Sequence, residues 1–406
     1  MNGAGWQIQH QCPQCGAPVI LDEADRLLAC PFCRSRLYIV SSEPFHYHIP
    51  APAAATEVVY IPYWRFRGLS FRIQPLEMTN TYVDTNRLAL PLRGMPPSLG
   101  VRPQAMKLKF LSPETAGVFL RPARKAEEVI PQTAPAAPTS GRSVFIGDSV
   151  SLIYTPMIAG AGVLRDAFRP QQVLPWTEDK SGEYQALASA ERDRIRFLAT
   201  LCPACGWDLQ GARDTLVLTC RNCRSAWSCN GPALAQIPCT VMAGNGKDAH
   251  YLPFWRLKVR FTGLTLTSLA DLIRLANLPK AITPEMLRQE VHFWSPAFKL
   301  NPALFTRLAR QLTVYQPDFP GGDSLPPQDV YPVTLAATEA LESILVTLAG
   351  IVTDKRVFFA ALPGLQIHPE ETLLVYLPFT AGRQELAHEV MKVVIDRKAL
   401  AFGAFM

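Results

Sequence analysis

Apolar and basic positions alternate in two separated stretches of the chain. Trp64 and Phe66, and later Trp255, Leu257, Val259 and Phe261, are interleaved with Arg65, Arg67, Arg256, Lys258 and Arg260. A period of two predicts half-buried strands, with the tryptophans anchoring a core and Arg65 and Arg256 facing water. Residues 373–378, a turn through Ala381-Gly382-Arg383, and residues 386–395 read as a hairpin. Between them and the first strand, Leu187, Ala190, Ile195, Leu198 and Leu201 fall near helical spacing. They predict a connecting helix over 181–201, ending at Cys202-Pro203. The most apolar run, 333–353, carries Glu339 and Glu342 and predicts an amphipathic or buried helix. It is no membrane span, which needs roughly 18–20 uninterrupted apolar residues.

Several of these landmarks occur twice. Tyr60-Ile61-Pro62-Tyr63-Trp64-Arg65 returns as Tyr251-Leu252-Pro253-Phe254-Trp255-Arg256, and Leu152-Ile153-Tyr154-Thr155-Pro156-Met157 as Leu374-Val375-Tyr376-Leu377-Pro378-Phe379. Phe110-Leu111-Ser112-Pro113 pairs in the same way with Phe293-Trp294-Ser295-Pro296. The offset jumps from 183 at the Phe110 landmark to 222 at the Leu152 landmark, which places an insertion in the second half. The expected fold is α+β: two pseudo-repeats, each a small four-cysteine module followed by a β-rich body with few helices. The expected segments are a first module at 1–42, a first body at 43–180, the helix at 181–201, a second module at 202–230 and a second body at 231–406. The helical insertion belongs near 333–350. Residues 131–142 and 316–327, rich in proline and glycine, read as exposed loops.

Composition narrows the class. With 48% hydrophobic and 18% charged residues the chain of 406 is long enough for two or three cores and is not a disordered polymer. The 36 prolines favour loops and edge strands over long helices. A net charge of +6 permits a basic patch but is modest for a protein that wraps nucleic acid by bulk charge. The start Met1-Asn2-Gly3-Ala4-Gly5-Trp6 has no basic or apolar leader, so a cytoplasmic location with reduced thiols is expected.

Eight of the ten cysteines are written as one pattern, twice. Cys12, Cys15, Cys30 and Cys33 form two C-x2-C pairs, and Cys202, Cys205, Cys220 and Cys223 form two more at identical spacing. In a reduced chain this points to metal. Each C-x2-C turn curls its amides about the first sulfur, and two such turns close a tetrahedral cage. Gly16 and Gly206 follow the first pairs, where a positive φ is often needed. Residues 19–21 and 27–29 are expected to form strands about a turn at 22–26. Cys12-Pro13-Gln14-Cys15-Gly16, Cys202-Pro203-Ala204-Cys205-Gly206 and Cys30-Pro31-Phe32-Cys33 resemble the knuckles of rubredoxin-like zinc ribbons. Cys220-Arg221-Asn222-Cys223 lacks the proline but keeps the ligands. The resemblance covers about 30 residues per half and implies a fold and a metal: two Zn2+ per chain, with iron as the other occupant that four thiolates accept. It leaves function open. Cys229 and Cys239 are expected to be buried as small apolar groups.

His46 and His48 share one strand face and read as a surface pair without a third ligand nearby. Asp271 with Glu290, and Glu370 with Glu371, can be paired as carboxylates only on paper, and none of the common catalytic motifs occurs. The expected function is non-enzymatic: an interaction or assembly component with a protein partner, its two halves offering similar surfaces. The competing expectations are nucleic-acid binding through the ribbons with Arg65, Arg67, Arg256, Lys258 and Arg260, and electron transfer at iron tetrathiolate sites. Loss of Cys12 or of Cys202 is expected to damage its own ribbon only.

Overall fold

The computed structural model describes residues 6–41, 44–75, 77–100, 106–130, 141–176, 182–192, 195–229, 233–244, 249–317, 324–326, 328–388 and 390–403. The expected loop at 131–142 therefore lies almost wholly outside the described residues, and that at 316–327 largely so. The described chain is a strand-rich α+β protein whose longer helices fall in its second half.

Two long antiparallel ladders carry the architecture. In the first, Val58–Ile73 pairs with Arg142–Gly160. Aromatic and β-branched residues dominate both strands and favour a pleated, buried surface. Phe45–His48 joins this ladder in parallel, and Met78–Leu88 flanks it on the other side. In the second ladder His250–Thr262 pairs with Gln366–Ala381, with Cys239–Val241 added in parallel and Phe293–Pro296 on the far side.

The registers of the ladders correspond residue by residue. Pro62 faces Tyr154 and Trp64 faces Leu152, while Pro253 faces Tyr376 and Trp255 faces Leu374. Each ladder is interrupted by a bulge at the matching position, between Gly147 and Ser149 in one and between Pro369 and Glu371 in the other. The Pro62 and Pro253 carbonyls accept from the amides of Ala89 and Ala297, and the Trp64 and Trp255 indoles donate to the carbonyls of Arg124 and Leu335. The Phe110 landmark does not follow the pattern. Leu108–Phe110 lies beside Phe45–His48, whereas Phe293–Pro296 lies beside the Trp255 strand, so the two segments occupy different places.

Both faces of the first ladder are covered. Ile61 and Tyr63 enter one apolar core, and Tyr60, Trp64 and Phe66 another. A third core fills the second half and includes Phe71, Ile73, Val144 and Ile146 from the end of the first ladder. The halves are thus packed against each other. Helices Ala337–Glu342 and Ile344–Ile351 occupy the stretch expected to hold a helical insertion. Helix Pro302–Tyr315 adds to the expected helices, and its signals are in the sequence: Asn301 caps the Leu304 amide, proline opens the first turn, and Leu304, Phe305, Leu308 and Leu312 recur on one buried face.

No connecting helix spans 181–201. Ser189–Arg192 is a short 3-10 turn and Ile195–Ala199 is a strand, paired antiparallel with Arg36–Ser41. A partner far away in sequence overrides the weak helical spacing of the leucines there. Residues 386–395 also divide, into strands Glu385–His388 and Val393–Asp396. The turn at 22–26 does not close a hairpin, because Pro18–Asp22 pairs with Gln7–Gln11 and Leu27–Ala29 with Arg36–Ser41. Among the described residues no helix is long and apolar enough to cross a membrane.

Candidate metal centres

In each cysteine group the first knuckle sits at a strand reversal. The Cys12 amide donates to the Ala17 carbonyl at 2.8 Å and the Cys202 amide to the Trp207 carbonyl at 2.7 Å. Gly16 and Gly206 close these turns at φ 73° and 72°, in the left-handed region that suits glycine. The second knuckles repeat the geometry with arginine, Arg34 at φ 61° and Arg224 at 56°.

The turns bring the sulfurs together. Cys12 Sγ lies 3.7 Å from Cys33 Sγ and Cys15 Sγ 3.7 Å from Cys30 Sγ. The corresponding pairs, Cys202 with Cys223 and Cys205 with Cys220, are both 3.5 Å apart. A tetrahedron with metal–sulfur bonds of about 2.3 Å has edges of about 3.8 Å, so the sulfurs stand where a metal would place them. All four ligand atoms of each group lie within 4.8 Å of one another. Either group can hold a metal ion. One cysteine of each pair is buried and its mate exposed, so each centre lies at the surface with its back to the protein.

Acid–base chemistry fits the same donor set. The Asn222 side chain, with a backbone amide, holds the Cys205 thiol down to about 6, while burial and the neighbouring thiols push Cys220 up to about 12. Thiolates crowded at this distance repel one another, and a dication removes that repulsion. The second residue after each second knuckle, missed as a contributor in the sequence, is a serine. Ser35 Oγ lies 3.0 Å from Cys33 Sγ and Ser225 Oγ 2.9 Å from Cys223 Sγ, with the Trp227 indole donating to Ser225 at 2.7 Å. The signal was the repeated Arg-Ser after Cys33 and Cys223.

The basic strand row is distributed differently from expectation. Arg65 does not face water: it is 1% exposed, bonded through Nε and Nη2 to both carboxylate oxygens of Glu23 at 3.2 and 3.0 Å and stacked on Trp6 at 4.1 Å. The outer face of its strand carries the first ribbon, whose turn supplies Glu23. Arg67 also reaches Glu23, at 3.1 Å. Arg256 meets His292 Nδ1 at 3.2 Å, Lys258 pairs with Glu290 at 2.8 Å, and the exposed Arg260 lies 3.6 Å from Glu370. Asp271 caps its own helix at Ser268, so it and Glu290 form no pair.

His46 and His48 are buried, not a surface pair, because Phe45–His48 is an interior strand between Arg142–Gly160 and Leu108–Phe110. Their rings pack on Tyr154 and Tyr60, and neither Nδ1 has a partner among the described residues. Burial lowers both to about 4, with Lys109 adding to the effect at His48. The unfolded chain takes up protons near pH 6.5 and the folded one only near pH 4. Stability therefore falls as pH drops through that window, by up to about 1.4 kcal/mol per pH unit for each histidine. Urea midpoints of His46→Phe measured from pH 7 to pH 4.5 should fall less steeply than those of the parent; parallel curves would show that His46 is not the group responsible. Cys229 and Cys239 are half-buried, not fully enclosed.

Compared with family models, with curated proteins and with solved structures, the chain matches none.

Proposed function

We propose that the protein is a non-enzymatic assembly component, acting in a reducing compartment, whose two four-cysteine sites hold structural zinc. The carrying observation is the closed sulfur geometry. Four thiolates at tetrahedral spacing leave a metal no open position for a substrate, which favours a structural role over hydrolytic or Lewis-acid chemistry. Zinc suits the site because it accepts four sulfurs without redox work, and it would order ribbons whose strands are too short to hold by themselves.

The matching registers, bulges and indole bonds of the two ladders support an ancestral duplication, each copy a ribbon followed by a ladder. The Phe110 segment is excluded from the correspondence. A protein partner is favoured over nucleic acid by what the ribbons expose. Phe32, between the second pair of ribbon-one cysteines, is 65% exposed, and beside the first knuckle of ribbon two Trp207 is 58% and Leu201 52% exposed. Aromatic side chains on a rigid, metal-ordered turn are the kind that carry protein contacts. The basic row offers little to phosphate, since Arg65 is interior and Arg67, Lys258 and Arg260 face carboxylates.

A tagged full-length chain recovered from its native cell, with and without nuclease, tests this reading. The expected result is a stoichiometric protein that survives nuclease and is lost from the Phe32→Ser, Trp207→Ser double variant while zinc content stays unchanged. Retention dependent on nucleic acid, with binding that weakens steeply as salt rises, would move the assignment to nucleic-acid binding.

A further inference from the structure

The two centres lie 190 residues apart in sequence, yet their ribbons form one structure. The strand that leaves the first centre, Arg36–Ser41, pairs with the strand that leads into the second, Ile195–Ala199. Ala199, three residues before Cys202, faces Leu37, four residues after Cys33. Next to this pairing the Thr200 hydroxyl donates to the Arg36 carbonyl.

The turns interlock as well. The Arg213 carbonyl, in the turn of ribbon two, accepts from the amides of both Arg26 and Leu27 in the turn of ribbon one, at 2.7 and 2.8 Å. Its guanidinium pairs with the buried Asp25. The Tyr38 hydroxyl donates to the Thr215 carbonyl at 3.0 Å. Beneath these bonds one apolar cluster joins Leu27, Tyr38 and Val40 of ribbon one to Leu209, Leu218 and Trp227 of ribbon two, and it contains the ligands Cys202 and Cys220 themselves.

Short ribbons are ordered by their metal. Each of these contacts needs both partners ordered, so filling one centre builds half of the surface on which the other ribbon folds. We infer that the two centres load cooperatively, metal at either one raising the affinity of the other through the Arg213, Tyr38 and paired-strand contacts. The inference rests on the reading that both sites bind metal. Linkage makes the effect reciprocal, and a shared interface of this kind supplies roughly a tenfold coupling.

Zn2+ is titrated into the reduced, metal-free full-length chain against a chromophoric chelator, with native mass spectrometry counting chains that hold no, one or two ions. In the parent the one-ion form is expected to stay well below the half share that equal independent sites give at their midpoint. Cys15→Ser, which removes an exposed ligand outside the shared cluster, is expected to weaken Zn2+ at the second centre about tenfold. In a Tyr38→Phe, Arg213→Ala chain, which keeps all eight ligands, the one-ion form should rise towards the statistical share. Hydrogen exchange gives an independent readout: in Cys15→Ser, Zn2+ at the second centre should slow exchange at the Arg26 and Leu27 amides. Second-centre affinity unchanged by Cys15→Ser, with no added protection at those amides, would overturn the coupling while leaving two metal sites standing. Failure of the parent to take up Zn2+ at all would overturn both.

Discussion

Arg65→Met is expected to lower the unfolding free energy by about 3–5 kcal/mol, the range seen when one member of a buried ion pair is removed. Glu23 would keep its charge at 1% exposure, with the half-buried Arg67 as its remaining ion-pair partner among the described residues. The lesion sits where the turn of ribbon one meets the first ladder, so the ribbon's anchorage should weaken along with global stability. Removing both charges, in Arg65→Met with Glu23→Gln, is expected to recover most of the loss, because the penalty comes chiefly from stranding the carboxylate. Denaturant unfolding of the three variants measures this directly. A loss below about 1 kcal/mol for Arg65→Met, as for an exposed pair, would show that Arg65 is at the surface after all.

Cys202→Ser is expected to be the more damaging change. It removes a ligand that is also 2% exposed within the cluster joining the two ribbons. Its own centre should lose its metal, and stability should fall by more than about 4 kcal/mol, a size reached when a structural metal is lost. Exposed Cys223 makes the comparison: Cys223→Ser should release the same metal at a smaller cost in stability, since it does not line the shared core. Metal content and urea midpoints of the two variants decide the matter. Equal metal content in Cys202→Ser and the parent would remove Cys202 from the ligand set. The sequence alone suggested that each ribbon's lesion stays local; with paired strands and interlocked turns between the ribbons, the damage is expected to reach both.

What could be read in the chain and what could not divides along sequence distance. The cysteine knuckles were legible because a C-x2-C turn is made by four consecutive residues, and the Gly16 and Gly206 that follow mark its required backbone. The ladder strands were legible because Trp64, Phe66, Trp255 and Leu257 alternate with basic residues, whereas their partner strands and shared register show only in the structure. The side facing away from the tryptophans was not. Alternation tells which residues share a face, not whether something covers it, and a ribbon folded from residues near Glu23 covers Arg65. The segment Ile195–Ala199 failed for the same reason: its partner strand lies in the first ribbon. His46 and His48 were placed at the surface because nothing local shows that their strand runs through the middle of a sheet. Phe110 and Phe293 are alike in sequence and sit in unlike positions, so a short motif match without register is weak evidence of equivalence.

Elemental analysis of the full-length chain purified without added metal, combined with its visible absorption spectrum, tests the central claim most directly. Two zinc ions per chain and a colourless protein are the expected result. Iron with visible thiolate-to-metal bands would replace structural zinc by redox centres, and a folded chain with eight reactive thiols and no metal would contradict the assignment altogether.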